Sequence, residues 1–203
     1  MAPRVNRLVL ASNNKGKLIE LNSLLEPLAV TVIPQRELGI EDAEETGKTF
    51  IENAILKARH AAGLSQLPCL ADDSGIVVPA LGGRPGIYSA RFSGHGDHAN
   101  NEKLLEEMAG LSTEERDAYY VAVIAVMTSS DDPTPLIAEG RWHGRIATQL
   151  SGTGGFGYDP LFIPMGYDMT AASMAPDEKK AVSHRSKALA LLMPQLSALS
   201  PQQ

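Results

Sequence analysis

The stretch Cys69-Leu70-Ala71-Asp72-Asp73-Ser74-Gly75-Ile76-Val77-Val78 decides how the chain is read. An apolar run enters, two adjacent carboxylates and a Ser-Gly pair interrupt it, and an apolar run leaves. The flanks are those of a buried strand. The interruption predicts a turn at the strand end, since Asp, Ser and Gly hydrogen-bond their own backbone in turns. A carboxylate at the end of a buried strand is costly unless a cation meets it, because an isolated buried charge is poorly solvated. A metal ion or a substrate ammonium would meet that need. The turn is therefore either a structural bend or one edge of a site.

Upstream, Leu8-Val9-Leu10-Ala11 predicts a short buried strand and Ser12-Asn13-Asn14-Lys15-Gly16 a polar turn. Lys17 to Leu25 follows with helical spacing at Leu18, Leu21 and Leu25, and Pro27 closes it. A helix N-terminus after a strand favours anions, so Lys15 and Lys17 are candidate phosphate contacts. A P-loop NTPase is excluded, because that loop needs Gly at Ala11 and Ser or Thr at Leu18. Val30-Thr31-Val32-Ile33 is a second strand, and Ile40 to Gly47 a solvated acidic loop. Thr49 with Glu52 makes a capping box for the next helix, with Gly63 at its C-terminal end. Its apolar stripe is Ile51, Ala54, Ile55, Ala58 and Ala62. Asn53, Lys57 and His60 form a separate polar face, which belongs to solvent unless a ligand meets it.

Downstream, Leu81 to Gly86 is a turn-rich loop leading into Ile87 to Gly94, and Asp97 caps a helix over His98 to Met108 with Leu104, Leu105 and Met108 as its buried side. Tyr119 to Met127 is a central strand and the alternating Leu136 to Trp142 its antiparallel neighbour, so the middle of the chain reads as a β-rich lobe. Gly152 to Pro160 carries Phe156 and Tyr158 among glycines, which implies unusual backbone angles or a close approach to something. Leu161-Phe162-Ile163 is a last short strand. Pro176 to Lys187 then leads into a C-terminal Leu/Ala helix that Pro194 kinks or ends.

Composition narrows the function classes. The 203 residues are 43% hydrophobic and 21% charged with a net charge of -6, which fits one globular domain and argues against a general nucleic-acid-binding surface. Cys69 is the single cysteine, so no disulfide framework exists. The lead-in Met1 to Arg7 lacks the apolar core of a signal peptide, and no apolar run approaches the ~20 residues of a membrane span. A cytoplasmic protein without membrane partners is the expectation.

Several blocks, in order, resemble the inosine triphosphate pyrophosphatases. They are Ser12-Asn13-Asn14-Lys15-Gly16-Lys17, Ala43 to Gly47 with Phe50 to Ala54, Ala71 to Gly75, Gly82 to Arg91, Gly152 to Pro160 and Ser183-His184-Arg185. The lead-in to Arg7 and the tail Pro201-Gln202-Gln203 fall outside the resemblance. It implies an α/β fold: a long mixed β-sheet flanked by helices, in two lobes with the active-site cleft between them, residues 1–203 forming a single two-lobed domain. It also implies a homodimer and the hydrolysis of ITP, dITP or XTP to the monophosphate and pyrophosphate.

On this resemblance, Glu44 and Asp73 hold Mg2+, which clamps the polyanionic triphosphate. Asp73 also activates the attacking water, while Asp72 supports the site. Ser12, Asn13, Asn14, Lys15, Gly16 and Lys17 hold the phosphates, and Lys57 stabilises charge on the leaving pyrophosphate. Ser74 binds substrate. Phe156 stacks on the purine, Gly157 belongs to the same loop, and Tyr158 or Asp159 bonds the purine edge or positions Arg185. Lys179 and His184 complete the set, although His184 also reads as a packed structural histidine. Arg185 has donors only, so it suits a 6-keto oxygen and opposes the amino group of adenine. A pyrophosphatase for other modified nucleotides would show a Ser-Pro-Arg-Arg type run where Asn13-Asn14-Lys15-Gly16 stands. A non-catalytic nucleotide sensor would not need both Glu44 and Asp73.

Overall fold

A computed structural model describes residues 6–28 and 30–199. Most of the lead-in to Arg7, and the whole tail from Pro201, lie outside them. Six strands, β1 (Arg7–Leu10), β2 (Thr31–Pro34), β3 (Cys69–Val77), β4 (Asp117–Met127), β5 (Leu136–Ile146) and β6 (Phe162–Pro164), form one sheet in the order β2-β1-β3-β4-β5-β6. β1 runs parallel to β2 and to β3, whereas β6 is antiparallel to β5, so the sheet is mixed. The α-helices are α1 (Lys15–Leu25), α2 (Phe50–Ser65), α3 (Asp97–Glu107), α4 (Pro176–Val182) and α5 (His184–Leu199). Among the described residues no helix is long and apolar enough to cross a membrane.

The chain divides into two compact units. The first holds the chain up to Asp73, Ala122–Gly140 and the chain from Arg185; the second holds Ser74–Val121 and Arg141–His184. Each has its own core. In the first, Leu8, Leu10, Leu21, Leu25, Leu70 and Ile124 are buried together with the Leu189 and Leu192 side of α5. In the second, Ile76, Leu104, Met108, Tyr120, Trp142 and Phe162 are buried together.

The expected turn at Asp72-Asp73-Ser74-Gly75 is absent, because β3 runs straight through it. Successive side chains of a strand point to opposite faces, so each carboxylate meets its own cations, and a paired carboxylate no longer forces the chain out of the sheet. α1 begins at Lys15 rather than Lys17, because the Asn14 side chain caps it by accepting from the Lys17 N–H. α2 opens on the Thr49 cap as expected but runs past Gly63 to Ser65. It closes on Gln66, which takes the left-handed conformation (φ 56°) and donates from its side-chain amide to the Gly63 carbonyl.

The buried side of α2 is Asn53, Ala54, Ala58, Ala61 and Ala62, while Ile51 is 44% exposed. Small side chains on that face let the helix lie close beside β1. Asp97 is the first residue of α3, not its capping side chain. β5 continues to Ile146, beyond Trp142. Pro194 does not end α5, which continues to Leu199. A helix-interior proline forfeits one backbone bond, but Leu192 and Leu196 are buried in the first core on either side of it.

Candidate active site

In the first unit, β1 delivers the chain to the N-terminus of α1 through Ser12-Asn13-Asn14. Ser12 Oγ accepts from the Asn14 N–H and Asn14 Oδ1 from the Lys17 N–H, so both side chains shape the loop. Asn13 is half-buried, Lys15 is exposed and Gly16 is half-buried. Lys17 turns inward, with its ammonium 2.8 Å from Asp72 Oδ2. Burial lowers the Lys17 pKa, Asp72 opposes that, and the nearby Lys57 and Arg185 charges reinforce it.

The two aspartates of β3 organise separate sets of partners. Asp72, 1% exposed, is met by Lys17 and by the Arg185 guanidinium from the start of α5, at 3.4 Å. Burial alone would raise its pKa, but Arg185 and Lys17 hold it well below the usual carboxylate range. Arg185, also fully buried, is gripped on its other side by Glu20 of α1. Asp73 Oδ1 lies 2.7 Å from Lys57 Nζ, and its Oδ2 lies 3.4 Å from the Asn53 side-chain amide. Lys57 also reaches Glu45, at 3.0 Å. Burial pushes the Asp73 pKa up, more than Lys57 and Lys17 pull it down. For Lys57, burial acts downward, but Asp73 and Glu45 outweigh it and the ammonium is held charged.

Asn53 ties the acidic loop to this cluster. Its Oδ1 accepts from the Gly47 N–H at 2.8 Å while its Nδ2 faces Asp73. A Cβ at position 47 would lie 2.5 Å from that Oδ1, so the packing requires glycine there. Within the loop it is Glu45 that joins Lys57, while Glu44 is exposed. The cluster sets the carboxylates of Glu20, Glu45, Asp72 and Asp73 against the cations of Lys17, Lys57 and Arg185. Carboxylate oxygens are hard donors, the kind that Mg2+ takes. Among the described residues no three acidic, His or Cys side chains converge on one metal position. One or two protein carboxylates is the ordinary share when substrate phosphates supply further oxygens.

In the second unit, the glycine-rich loop carries left-handed backbone at Gly152, Gly155 and Gly157, as its glycine density implied. Asp159 is 3% exposed and accepts from the Phe156 N–H at 2.8 Å and from Lys179 Nζ at 2.6 Å. The Lys179 ammonium also lies 5.1 Å from the centroid of the half-buried Phe156 ring. Tyr158 is buried in the core of this unit, and its hydroxyl donates to the Ser89 carbonyl at 2.9 Å. Burial raises its pKa. His184 is buried against Tyr120, with ring centroids 4.7 Å apart and planes 8° apart, and Trp142 lies beyond. That is the packed setting of a structural histidine. Ser74 is half-buried on β3.

The structure thus brings Lys17, Lys57, Asp72, Asp73 and Arg185 into one cluster of the first unit, and Phe156, Asp159 and Lys179 into one cluster of the second. Sequence reasoning did not assign Glu20, Glu45 or Asn53 to the site. Asn53 had a signal, one helical turn before Lys57 on the same face. Glu20 had none, because its partner lies 165 residues away. Cys69 is buried, with its thiol pushed up to about 11, mainly by burial, and is chemically quiet.

The chain is similar to known proteins over nearly its whole length. The Ham1 family model matches residues 8–195. A protein of Xanthomonas oryzae pv. oryzae named dITP/XTP pyrophosphatase is 51% identical over 198 residues, covering 97% of this chain and 100% of its own. One of the same name from Legionella pneumophila is 54% identical over 199 residues, with coverage of 97% and 100%. Among solved structures, a HAM1 protein from Coxiella burnetii matches with a TM-score of 0.87 at 45% identity, covering 95% of this chain and 98% of that one. A nucleoside-triphosphatase / dITP/XTP pyrophosphatase from Mycobacterium abscessus matches with a TM-score of 0.75 at 42% identity, covering 94% and 99%.

Proposed function

The chain belongs to the Ham1 family, and on that premise we propose that it hydrolyses ITP, dITP and XTP to the nucleoside monophosphate and pyrophosphate, clearing deaminated purines from the nucleotide pool. The observation that best supports this reading is the buried Asp73 carboxylate, 2.7 Å from Lys57, in the same unit as the lysine-bearing N-terminus of α1. Water attacks the α-phosphorus, the α–β anhydride bond breaks, and pyrophosphate leaves. Asp73 takes the proton of the attacking water, the general-base role open to a carboxylate within reach of the reacting atoms. Lys57, held charged beside it, stabilises the negative charge that builds on the leaving group.

Ser12 to Lys17 receive the phosphates through the α1 N-terminus and Lys15. Glu44 and Asp73 would hold Mg2+, which when bound neutralises triphosphate charge. Phe156 stacks on the purine, with Gly157, Tyr158, Asp159, Lys179 and His184 shaping its surroundings and Ser74 contacting the substrate. Arg185, oriented by Asp72 and Glu20, offers donors to a 6-keto oxygen and none of the acceptors an adenine amino group needs. A cytoplasmic homodimer is part of the same proposal, and light scattering of the purified chain tests its dimeric part.

The test is pyrophosphate release from ITP, XTP, dTTP, GTP and ATP, with and without Mg2+. Rapid Mg2+-dependent turnover of ITP and XTP is the expected result. Tight ITP binding without any release would replace the hydrolase with a nucleotide sensor.

A further inference from the structure

Phe156 stands in a loop whose glycines leave the backbone free, yet the peptide groups on both sides of it are held. The Phe156 N–H donates to Asp159 within the loop, at 2.8 Å. The Gly157 N–H donates to Asp97 Oδ2, also at 2.8 Å, and the Gly157 carbonyl accepts from Asn101 Nδ2 at the same distance. Asp97 and Asn101 belong to the first turns of α3, about 60 residues earlier in the chain. Asn101 Nδ2 donates as well to the Asp97 carbonyl at 2.7 Å, so the two contacts form one clamp. A carboxylate in the first turn of α3 is favoured by the helix dipole, and Asp97 uses that place to take an N–H from another segment. Gly157, at φ +62°, has no side chain to fix its peptide plane, so the restraint has to come from outside the loop.

We propose that Asp97, with Asn101, is a positioning residue for the Phe156 base platform. By fixing the Gly157 peptide it sets the direction of the Phe156 ring, and hence the affinity for the purine rather than the rate of bond breaking. The proposal rests on the reading that Phe156 stacks on the substrate base. Neither residue touches the reacting atoms.

The experiment uses the full chain carrying Asp97→Ala, Asp97→Asn and Asn101→Ala, with ITP hydrolysis and amide hydrogen exchange as readouts. Losing a charge-assisted hydrogen bond to a loop N–H should raise KM for ITP by about tenfold in Asp97→Ala, with kcat within about twofold. Asp97→Asn keeps an oxygen acceptor and should restore most of that loss. In a Phe156→Leu background, Asp97→Ala should add nothing to KM. An unchanged KM in folded Asp97→Ala, or equal KM effects with and without Phe156, overturns the proposal. Should Asp97→Ala fail to fold, the milder Asn101→Ala carries the same comparison. Exchange at the Gly157 amide separates two failures. If wild type does not turn over ITP but Asp97→Ala speeds Gly157 exchange, the clamp stands and the base-stacking reading falls. If exchange does not change, the clamp itself is wrong.

Discussion

Asp72→Asn is the substitution that tests the electrostatic frame of the site. It is nearly isosteric, so it removes a charge and leaves no cavity. In the wild type this buried carboxylate answers Lys17 at 2.8 Å and Arg185 at 3.4 Å. Arg185 keeps Glu20 when Asp72 is neutralised, whereas Asp72 is the carboxylate that Lys17 directly contacts. Leaving a largely buried cation (the Lys17 side chain is 14% exposed) without its partner costs up to about 3–5 kcal/mol. A lysine can escape by losing its proton, which from an ordinary pKa near 10.4 to pH 7 costs about 4.6 kcal/mol at 1.36 kcal/mol per unit, so that value is the ceiling. The expected loss is therefore about 3–4 kcal/mol, or roughly 6–16 °C in Tm for a chain of this size.

The assay is thermal and urea unfolding at pH 7 of wild type, Asp72→Asn and Lys17→Met/Asp72→Asn. The double variant removes the stranded cation and should recover most of the loss. The pH dependence has a definite sign. The Asp72 pKa is depressed in the folded state, so its contribution is present above the unfolded carboxylate value near 3.9 and is lost as pH falls below it. The gap between wild type and Asp72→Asn should narrow in that acid range. A Tm within about 1 °C of wild type at pH 7, or a double variant no more stable than the single, would refute the reasoning.

Three further outcomes are expected. Asp73→Asn should lower ITP turnover by orders of magnitude while leaving ITP binding by calorimetry largely intact; an active variant removes Asp73 as the base. Arg185→Lys keeps a cation for Asp72 but loses the planar fork, so the ratio of kcat/KM for ITP over ATP should shrink, and an unchanged ratio takes Arg185 out of base readout. Gly155→Ala places a Cβ 2.0 Å from Asp159 Oδ2 at a φ of +71°. Its KM for ITP should rise well beyond that of a surface Gly→Ala control, and a wild-type KM would show that the loop conformation does not matter to binding.

Much of this protein is written locally. Short-range signals place α2, whose Thr49 cap accepts from the Glu52 N–H while Glu52 accepts from the Lys48 N–H and the Thr49 hydroxyl. They also place the strands around Leu8, Val32 and Val123, and the unusual backbone of the glycine loop. Periodicity, caps and glycine density act within a few residues, so the sequence alone carries them. The order of the blocks was enough to suggest the family and its reaction.

The fate of Cys69 to Val78 lay beyond local signals. Two carboxylates and a Ser-Gly pair make a turn in any short-range reading, yet β3 passes through them. The cations that permit this come from α1, α2 and α5, with Lys17 lying 55 residues from Asp72 and Arg185 113 residues from it. Distance in sequence likewise hid the grip of Glu20 on Arg185 and the Asp97 contact with Gly157. Sequence fixes which charges the chain carries and which segments can be strand or helix. Whether a buried charge bends the chain or stays within a strand depends on the cations folding brings to it, because desolvation is offset only at contact distance.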